Sequence, residues 1–349
     1  MYYIHMPIVG LNLGKSSFRA VELESKKGGL VLNNFGIFES PALNLESTDE
    51  HDLDKFSAAI ADFYNEVGFS TPEVVLGLDE VHVFMRIIKM PNMNDKELAS
   101  ALKYEAEQYV PLPMDQVNLS WRRLEPDFTE KDKINIQIVA SRKDILEKYV
   151  TLARRAKLVP KAIEPETIAL GRILGDTSGA PLGTMILDIG FSGSLIVVSY
   201  GGAVRFTRAI PIGGDVLTRT IQQQLSLDLP QAEEYKKVYG MDPAQADGRV
   251  YDVIKPVIDS LILEVKRADV FFTKHNSFAS IKRLVVTGGA ALMPNLISYI
   301  AQNVEAEVQL ANPLSSLEIS SKISKHTDLL FEQAPKYSAA IGLAMRGIQ

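Results

Sequence analysis

The 349-residue sequence contains no cysteine. Disulfides, thiolate metal sites and cysteine nucleophiles are therefore excluded, and the composition fits a reducing compartment. A basic block is absent too. The formal net charge is -6, which argues against nucleic acid as a partner. The few histidines, His5, His51, His82, His275 and His326, show no metal-ligand spacing. No apolar run reaches the length of a bilayer, because Asn12 and Asp188 interrupt the best candidates. The opening residues M-Y-Y-I-H-M-P lack the basic region of a signal peptide. What is present, 46% hydrophobic and 23% charged residues, is the composition of a globular protein with room for two domains.

Two segments half a chain apart look like copies. Ile8–Leu23 reads I-V-G-L-N-L-G-K-S-S-F-R-A-V-E-L, and Met185–Ser199 reads M-I-L-D-I-G-F-S-G-S-L-I-V-V-S. Each is an apolar strand ending in an amide or carboxylate, Asn12 or Asp188. A glycine follows two residues on, Gly14 or Gly190, then a hydroxyl-rich turn and a returning strand. Such a turn offers backbone N–H groups and hydroxyls to an anion, and its glycine lets the backbone approach closely. One such hairpin is a loop. Two suggest a duplicated fold whose jaws close on one polyphosphate. Gly10–Ser16 also spells G-x-x-x-G-K-S, one residue short of a phosphate-binding P-loop, but Leu11 and Leu13 continue a strand where that motif needs a loop.

Strand and helix patterns alternate through both halves, which indicates α/β domains. Ile8 to Ile37 reads as three strands, Leu53–Val67 as a helix, and Val74–Ile88 as one strand. Asn94 followed by Glu97 is a capping signal for a helix that ends at Pro111. Val117–Leu124 and Ile134–Ala140 alternate as strands around the charged hairpin Glu125–Lys133. Asp144 is placed to cap the next helix, and Glu164-Pro165 to open another. The loop Asp176–Gly183 is the expected boundary between halves. Beyond it come helices from Asp215, Leu229 and about Val253, a buried strand Ile281–Val286, and a last helix from about Tyr337. The serine-rich stretch from Asn312 to Lys325 reads as a loop.

Several residues carry candidate chemistry. Asp188 at a strand end can hold magnesium through water beside phosphates, or can cap its own turn. Gly288 and Gly289 join a buried strand to a helix, where a planar ligand can lie against bare backbone. Glu164 at a helix start satisfies the helix dipole, or orients a water for attack on phosphate. Glu233 and Lys236, one turn apart, form a solvated pair or approach a ribose and base.

Taken in order, these pieces resemble the actin-like ATPase superfamily of actin, the 70-kDa chaperones, sugar kinases and FtsA. N-L-G-K-S-S (Asn12–Ser17) resembles its first phosphate motif and D-I-G-F-S-G-S (Asp188–Ser194) its second. I-E-P-E-T-I-A-L (Ile163–Leu170) resembles its first connecting helix, where chaperone relatives place a catalytic glutamate, so Glu164 takes that role by resemblance. I-G-G-D-V-L-T (Ile212–Thr218) and A-E-E-Y-K-K-V-Y-G (Ala232–Gly240) resemble segments near the ribose and base. V-T-G-G-A-A-L (Val286–Leu292) resembles the adenosine motif, and Y-S-A-A-I-G-L-A-M (Tyr337–Met345) the second connecting helix.

The resemblance implies an α/β actin-like fold of two duplicated ribonuclease-H-like domains, residues 1–180 and 181–349. It implies ATP with Mg2+ between them. The nucleotide contacts would be Gly14, Lys15, Ser16, Ser17, Gly190, Phe191, Ser192, Gly193, Ser194, Gly213, Glu233, Lys236, Gly288, Gly289 and Ala290. Asn12 and Asp188 would serve the metal.

Within the superfamily, Met90–Pro113 and Ile138–Pro165 resemble the PilM family of type IV pilus assembly, whose extra subdomain falls at about 93–160 here. That family receives the short N-terminal cytoplasmic tail of the inner-membrane protein PilN in a groove beside this subdomain. The implied setting is cytoplasmic, at the inner face of the cytoplasmic membrane, with other pilus assembly proteins as further partners. FtsA ends in a linker and a membrane-binding helix, whereas this sequence stops at Gly347-Ile348-Gln349, so membrane association is expected only through a partner. One departure is Asn12, where most relatives have Asp. Asn supplies a dipole and no charge, so slow or absent hydrolysis is expected. The competing expectations are a cycling ATPase or sugar-kinase-like phosphotransferase, and a cytoplasmic component of a type II secretion platform.

Overall fold

The computed structural model describes residues 6–39, 45–124, 132–175, 182–276 and 280–348. Most of the boundary loop Asp176–Gly183 and of the charged hairpin Glu125–Lys133 lies outside these residues, as do residues 1–5 of the chain.

The chain opens with an antiparallel meander of β1 (Ile8–Leu13), β2 (Ser17–Lys26) and β3 (Gly29–Glu39). Helix α1 (Glu50–Val67) then leads to β4 (Glu73–Leu78), which lies parallel to β1. A detour follows through β5 (Val83–Pro91), α2 (Asp95–Glu107), β6 (Val117–Arg123) and β7 (Lys133–Arg142). These strands form a separate antiparallel sheet of order β5-β7-β6. Leu98, Leu102 and Ala106 of α2 bury against its Ile88, Ile136 and Ile138. Helix α3 (Lys143–Arg155) and β8 (Val159–Pro165) return the chain to the first sheet, where β8 pairs parallel with β4. The second half runs from α4 (Glu166–Leu174) into the meander β9 (Leu182–Ile189), β10 (Ser194–Tyr200) and β11 (Ala203–Ile210). Helices α5 (Gly214–Leu225), α6 (Leu229–Tyr239) and α7 (Arg249–His275) precede β12 (Ser280–Thr287), α8 (Leu296–Asn303) and β13 (Glu307–Leu310). The chain then crosses back. Strand β14 (Leu317–Ile319) joins the first sheet beside β3, and α9 (Thr327–Glu332) and α10 (Ser338–Ile348) follow.

The two large sheets repeat one design. The order β3-β2-β1-β4-β8 in the first matches β11-β10-β9-β12-β13 in the second. In each, an antiparallel meander contributes the central strand to parallel neighbours that carry fully buried rows such as Val74–Leu76 and Leu284–Val286. Rows of this kind form where a sheet is covered on both faces. Helices α4 and α10 lie between the two sheets and nearly touch, since a Cβ on Gly342 would come within 2.1 Å of the Ala169 carbonyl oxygen. Only a residue without a side chain permits that approach.

The capping box at Asn94 is present, with Glu97 reaching back to the Asn94 N–H. Three local expectations are corrected. The segment Val74–Ile88 is two strands in different sheets, because Asp79 caps a tight turn at Glu80–His82 by accepting the Val81 N–H. Asp144 does not cap α3; the cap position is Arg142, and the Asp144 carboxylate pairs with the Arg142 guanidinium instead. The serine-rich stretch is not all loop. Leu317 and Ile319 supply enough apolar alternation for β14 to pair with β3.

Candidate functional site

A cavity of about 310 Å³ lies between the two sheets. Both copied hairpins face it. In the first, the Gly14 N–H donates to the Ser17 carbonyl at 3.0 Å; in the second, the Gly190 N–H donates to the Gly193 carbonyl at 2.9 Å. The same residue spacing thus closes the same turn twice. The second turn is braced from below by the start of α5, whose Gly214 and Asp215 N–H groups donate to the Gly190 and Phe191 carbonyls, both at 2.9 Å. Gly14, Lys15, Ser16, Gly190, Phe191, Ser192, Gly193 and Ser194 line the cavity, as do Gly288 and Gly289 at the end of β12.

Asn12 and Asp188 lie near the ends of β1 and β9, matching strands of the two sheets, and both line the cavity. Asn12 is buried, and its Oδ1 has no hydrogen-bond partner among the described residues. Burial pushes the Asp188 carboxyl up to about 6, while the Arg19 guanidinium draws it back down. A positive φ of 89° at Gly288 keeps the β12 turn clear of this carboxylate; a Cβ there would lie 2.2 Å from Asp188 Oδ1. An unpartnered amide oxygen and a buried carboxylate lining one cavity are oxygen donors suited to a hard, hydrated cation such as Mg2+. No cluster of three or more His, Asp or Glu ligands occurs among the described residues, so such an ion would keep most of its waters.

One assigned residue, Glu164, stands outside this cavity. It is the penultimate residue of β8, paired in register with Gly77, and its carboxylate is held by Arg172 through bonds of 2.6 and 2.7 Å. The reason is local. A residue before proline is disfavoured in helical conformation, so Glu164 stays extended and α4 begins only at Glu166. Glu166, like Asp79 and Asp188, lines the cavity. It flanks Asn12 across Gly77, where a Cβ would stand 3.3 Å from Asn12 Oδ1 and 3.4 Å from Glu166 Cγ. Burial, with Asp79 and Asp188 nearby, holds the Glu166 carboxyl well above the usual range.

Other assigned residues stand just behind the wall. Ser17 is buried at the start of β2, and Gly213 is the N-cap of α5. Lys236 Nζ donates to Glu233 at 2.6 Å, to Thr218 at 2.8 Å and to the Gly214 carbonyl at 3.1 Å. Burial lowers the Lys236 ammonium, against the pull of Glu233. Ala290 packs in the second core. Arg19 and Lys336 line the cavity and had no motif to mark them. Alternation along β2 from the Asn12 turn is the one signal that points Arg19 inward.

Behind the cavity, Glu80 joins three elements. It is buried in the β4–β5 turn and accepts hydrogen bonds from Thr167 of α4, at 2.8 Å, and from Thr207 of β11. Burial raises its carboxyl to about 7, and the two hydroxyls offset part of that. An acid raised on folding contributes stability below its unfolded pKa and loses it as pH rises through the folded one. Glu80→Gln is therefore expected to gain about 2–3 kcal/mol on the wild type between pH 5 and pH 8. Urea unfolding at both pH values checks this, and an equal difference at both would contradict it.

A second groove, of about 600 Å³, opens on the other side of α4. Its walls are β6 and β7 of the small sheet and, opposite, β8, α4 and the end of α10. Strands β6 and β8 are both sheet edges. Consecutive residues of each, Ser120–Arg122 and Ala162–Pro165, line the groove, so it meets the edges of both strands.

The sequence model of the family described as "Type IV pilus assembly protein PilM" matches residues 10–348. The chain belongs to the PilM family. Among solved structures, it is similar to the PilM-PilN type IV pilus biogenesis complex, with 26% identity, a TM-score of 0.86 and 99% of each chain covered. The fold alone is shared with MreB 5 of Spiroplasma citri bound to AMPPNP, at 13% identity and TM-score 0.50, covering 97% of this chain and 95% of that one. FtsA of Pseudomonas aeruginosa is 24% identical over 98% of this chain and 89% of its own length. The match to FtsA of Neisseria meningitidis serogroup B, at 22% identity, covers 60% of this chain and 53% of that protein. A PilM-family protein with the actin-like ATPase fold is thus established. Among the described residues, no helix is long and apolar enough to cross a membrane.

Proposed function

We propose that this protein binds ATP with Mg2+ in the cavity between its halves and receives the N-terminal cytoplasmic tail of PilN in the second groove. It thereby ties the cytoplasmic pilus machinery to the inner-membrane platform. The observation that carries the nucleotide reading is the pair of matched turns flanking Asn12 and Asp188, with the unpartnered Asn12 Oδ1 turned to the cavity. Backbone N–H groups and hydroxyls of the two turns bind phosphate oxygens. Lys15, Arg19 and Lys336 add positive charge on the cavity wall. Asn12 and Asp188 hold the magnesium through its waters, and magnesium neutralises phosphate charge when bound. The groove reading is supported by its two free strand edges and by the similarity to a PilM–PilN complex. Adding a strand to such an edge is a general mode of peptide capture. Calorimetric titration with MgATP and with a synthetic PilN tail tests both halves, and absence of either heat removes that half.

Slow turnover follows from the acids present. Burial holds the Glu166 carboxyl well above the usual range, which disfavours the charged form that would draw a proton from an attacking water. Asn12 adds no negative charge beside the metal's waters. Asn12→Asp is expected to raise single-turnover hydrolysis by roughly tenfold. Fast wild-type turnover, unchanged by the substitution, would sink this account.

A further inference from the structure

The second groove carries an imbalance of charge. Three arginines, Arg122, Arg172 and Arg346, line it with a single carboxylate, Glu164. Three positive charges against one leave two unmatched, in a chain whose net charge is -6. Glu164 is committed to Arg172, and both side chains are mostly buried. Arg346 stands 3.8 Å from the same carboxylate, with half its side chain exposed. Arg122 makes no ion pair among the described residues. Its Nε donates to Gln137 Oε1 at 2.6 Å, and Gln137 is itself fixed by a 2.8 Å bond from its Nε2 to the Val204 carbonyl. Burial in the groove and the neighbouring Arg172 hold the Arg122 guanidinium below its usual range. Such crowding of like charges is relieved by an anion.

The opposite wall carries an apolar patch, Leu78, Ile163 and Ile168, beside the charged Glu164, Arg172 and Arg346. An extended chain laid along the β6 edge turns successive side chains to opposite sides, so one side meets the apolar patch and the other meets Arg122. We infer that the groove selects a peptide carrying an acidic side chain among apolar residues, with the carboxylate received by Arg122 and Arg346. A guanidinium held by its Nε still presents its outer nitrogens, which match a carboxylate in a two-point contact. The inference rests on the reading of this groove as the tail site.

The test uses the intact protein and fluorescent synthetic peptides of the PilN cytoplasmic tail, read by anisotropy. The peptides are the natural tail and versions with each Asp or Glu changed to its amide. One amide change is expected to weaken binding about tenfold or more at low salt. Arg122→Gln should weaken the natural tail by a similar factor and add little to that amide change, and Arg122→Lys should keep most of the salt-dependent affinity. A tail that binds without any acidic residue, or an Arg122→Gln protein that binds like the wild type, overturns the inference and leaves tail docking intact. A wild-type protein that binds none of the peptides removes both readings.

Discussion

Asp188→Ala is expected to weaken magnesium-dependent ATP binding by roughly ten- to a hundredfold, the cost of losing one charged hydrogen-bond partner. Asp188 lies near the end of β9, buried beside the Gly288 turn. Glu166 also flanks Asn12, across Gly77, and burial holds its carboxyl well above the usual range. Removing Asp188 takes away the carboxylate near the end of β9 and leaves Asp79 and Glu166 in a cavity that also holds Lys15, Arg19 and Lys336. Affinity for ATP in EDTA should therefore change far less than affinity for MgATP. The fold should survive, because the buried carboxyl is itself held against its desolvation cost. Calorimetry with and without magnesium reads the difference. Equal MgATP affinity in variant and wild type would count against the clamp.

Glu164→Ala is expected to destabilise the protein by about 3 kcal/mol or more, with no specific loss of nucleotide binding. The Glu164–Arg172 pair is a two-point contact between side chains that are 11% and 14% exposed. Deleting the acid strands the Arg172 guanidinium beside the α4–α10 crossing, where it also donates to the Gly342 carbonyl at 2.7 Å. Breaking a buried pair from one side is among the costlier single substitutions. Glu166→Ala should behave in the opposite way, removing a buried acid at little or no cost in stability while lowering whatever hydrolysis exists. Urea unfolding and single-turnover assays on the two variants separate these roles. A Glu164→Ala protein of wild-type stability that has lost turnover would return the catalytic role to Glu164.

The two copied hairpins were legible because their signal is local: a polar strand end, a glycine two residues on, and hydroxyls. Such turns close on themselves in both halves. Alternation of strand and helix patterns indicated α/β domains, and the duplicated fold was legible in the two copied hairpins and in the resemblance in motif order; the strand order itself was not. Glu164 misled because two acids flank Pro165, and which one opens the helix depends on proline sterics that a motif match ignores. Arg19 and Lys336 were missed for a different reason. Each reaches the cavity from an element whose sequence shows only a strand or turn, and what brings them there is the packing of β2 and of the segment before α10. The division of Val74–Ile88 between two sheets was hidden because both flanks, Val74–Leu78 and Val83–Ile88, read as strand, although Asp79 carried the turn signal. The short strand β14 rests on long-range pairing to β3, some 280 residues earlier, which no local pattern reveals.

The most direct measurement is a crystal structure of the protein grown with MgAMPPNP. The account predicts the phosphates between Gly14–Ser17 and Gly190–Ser194, a magnesium whose waters touch Asn12 Oδ1 and Asp188, and adenine near Gly288–Ala290. Nucleotide bound elsewhere, or a cavity that stays free of it at saturating concentration, would contradict the claim that these two turns form a nucleotide clamp.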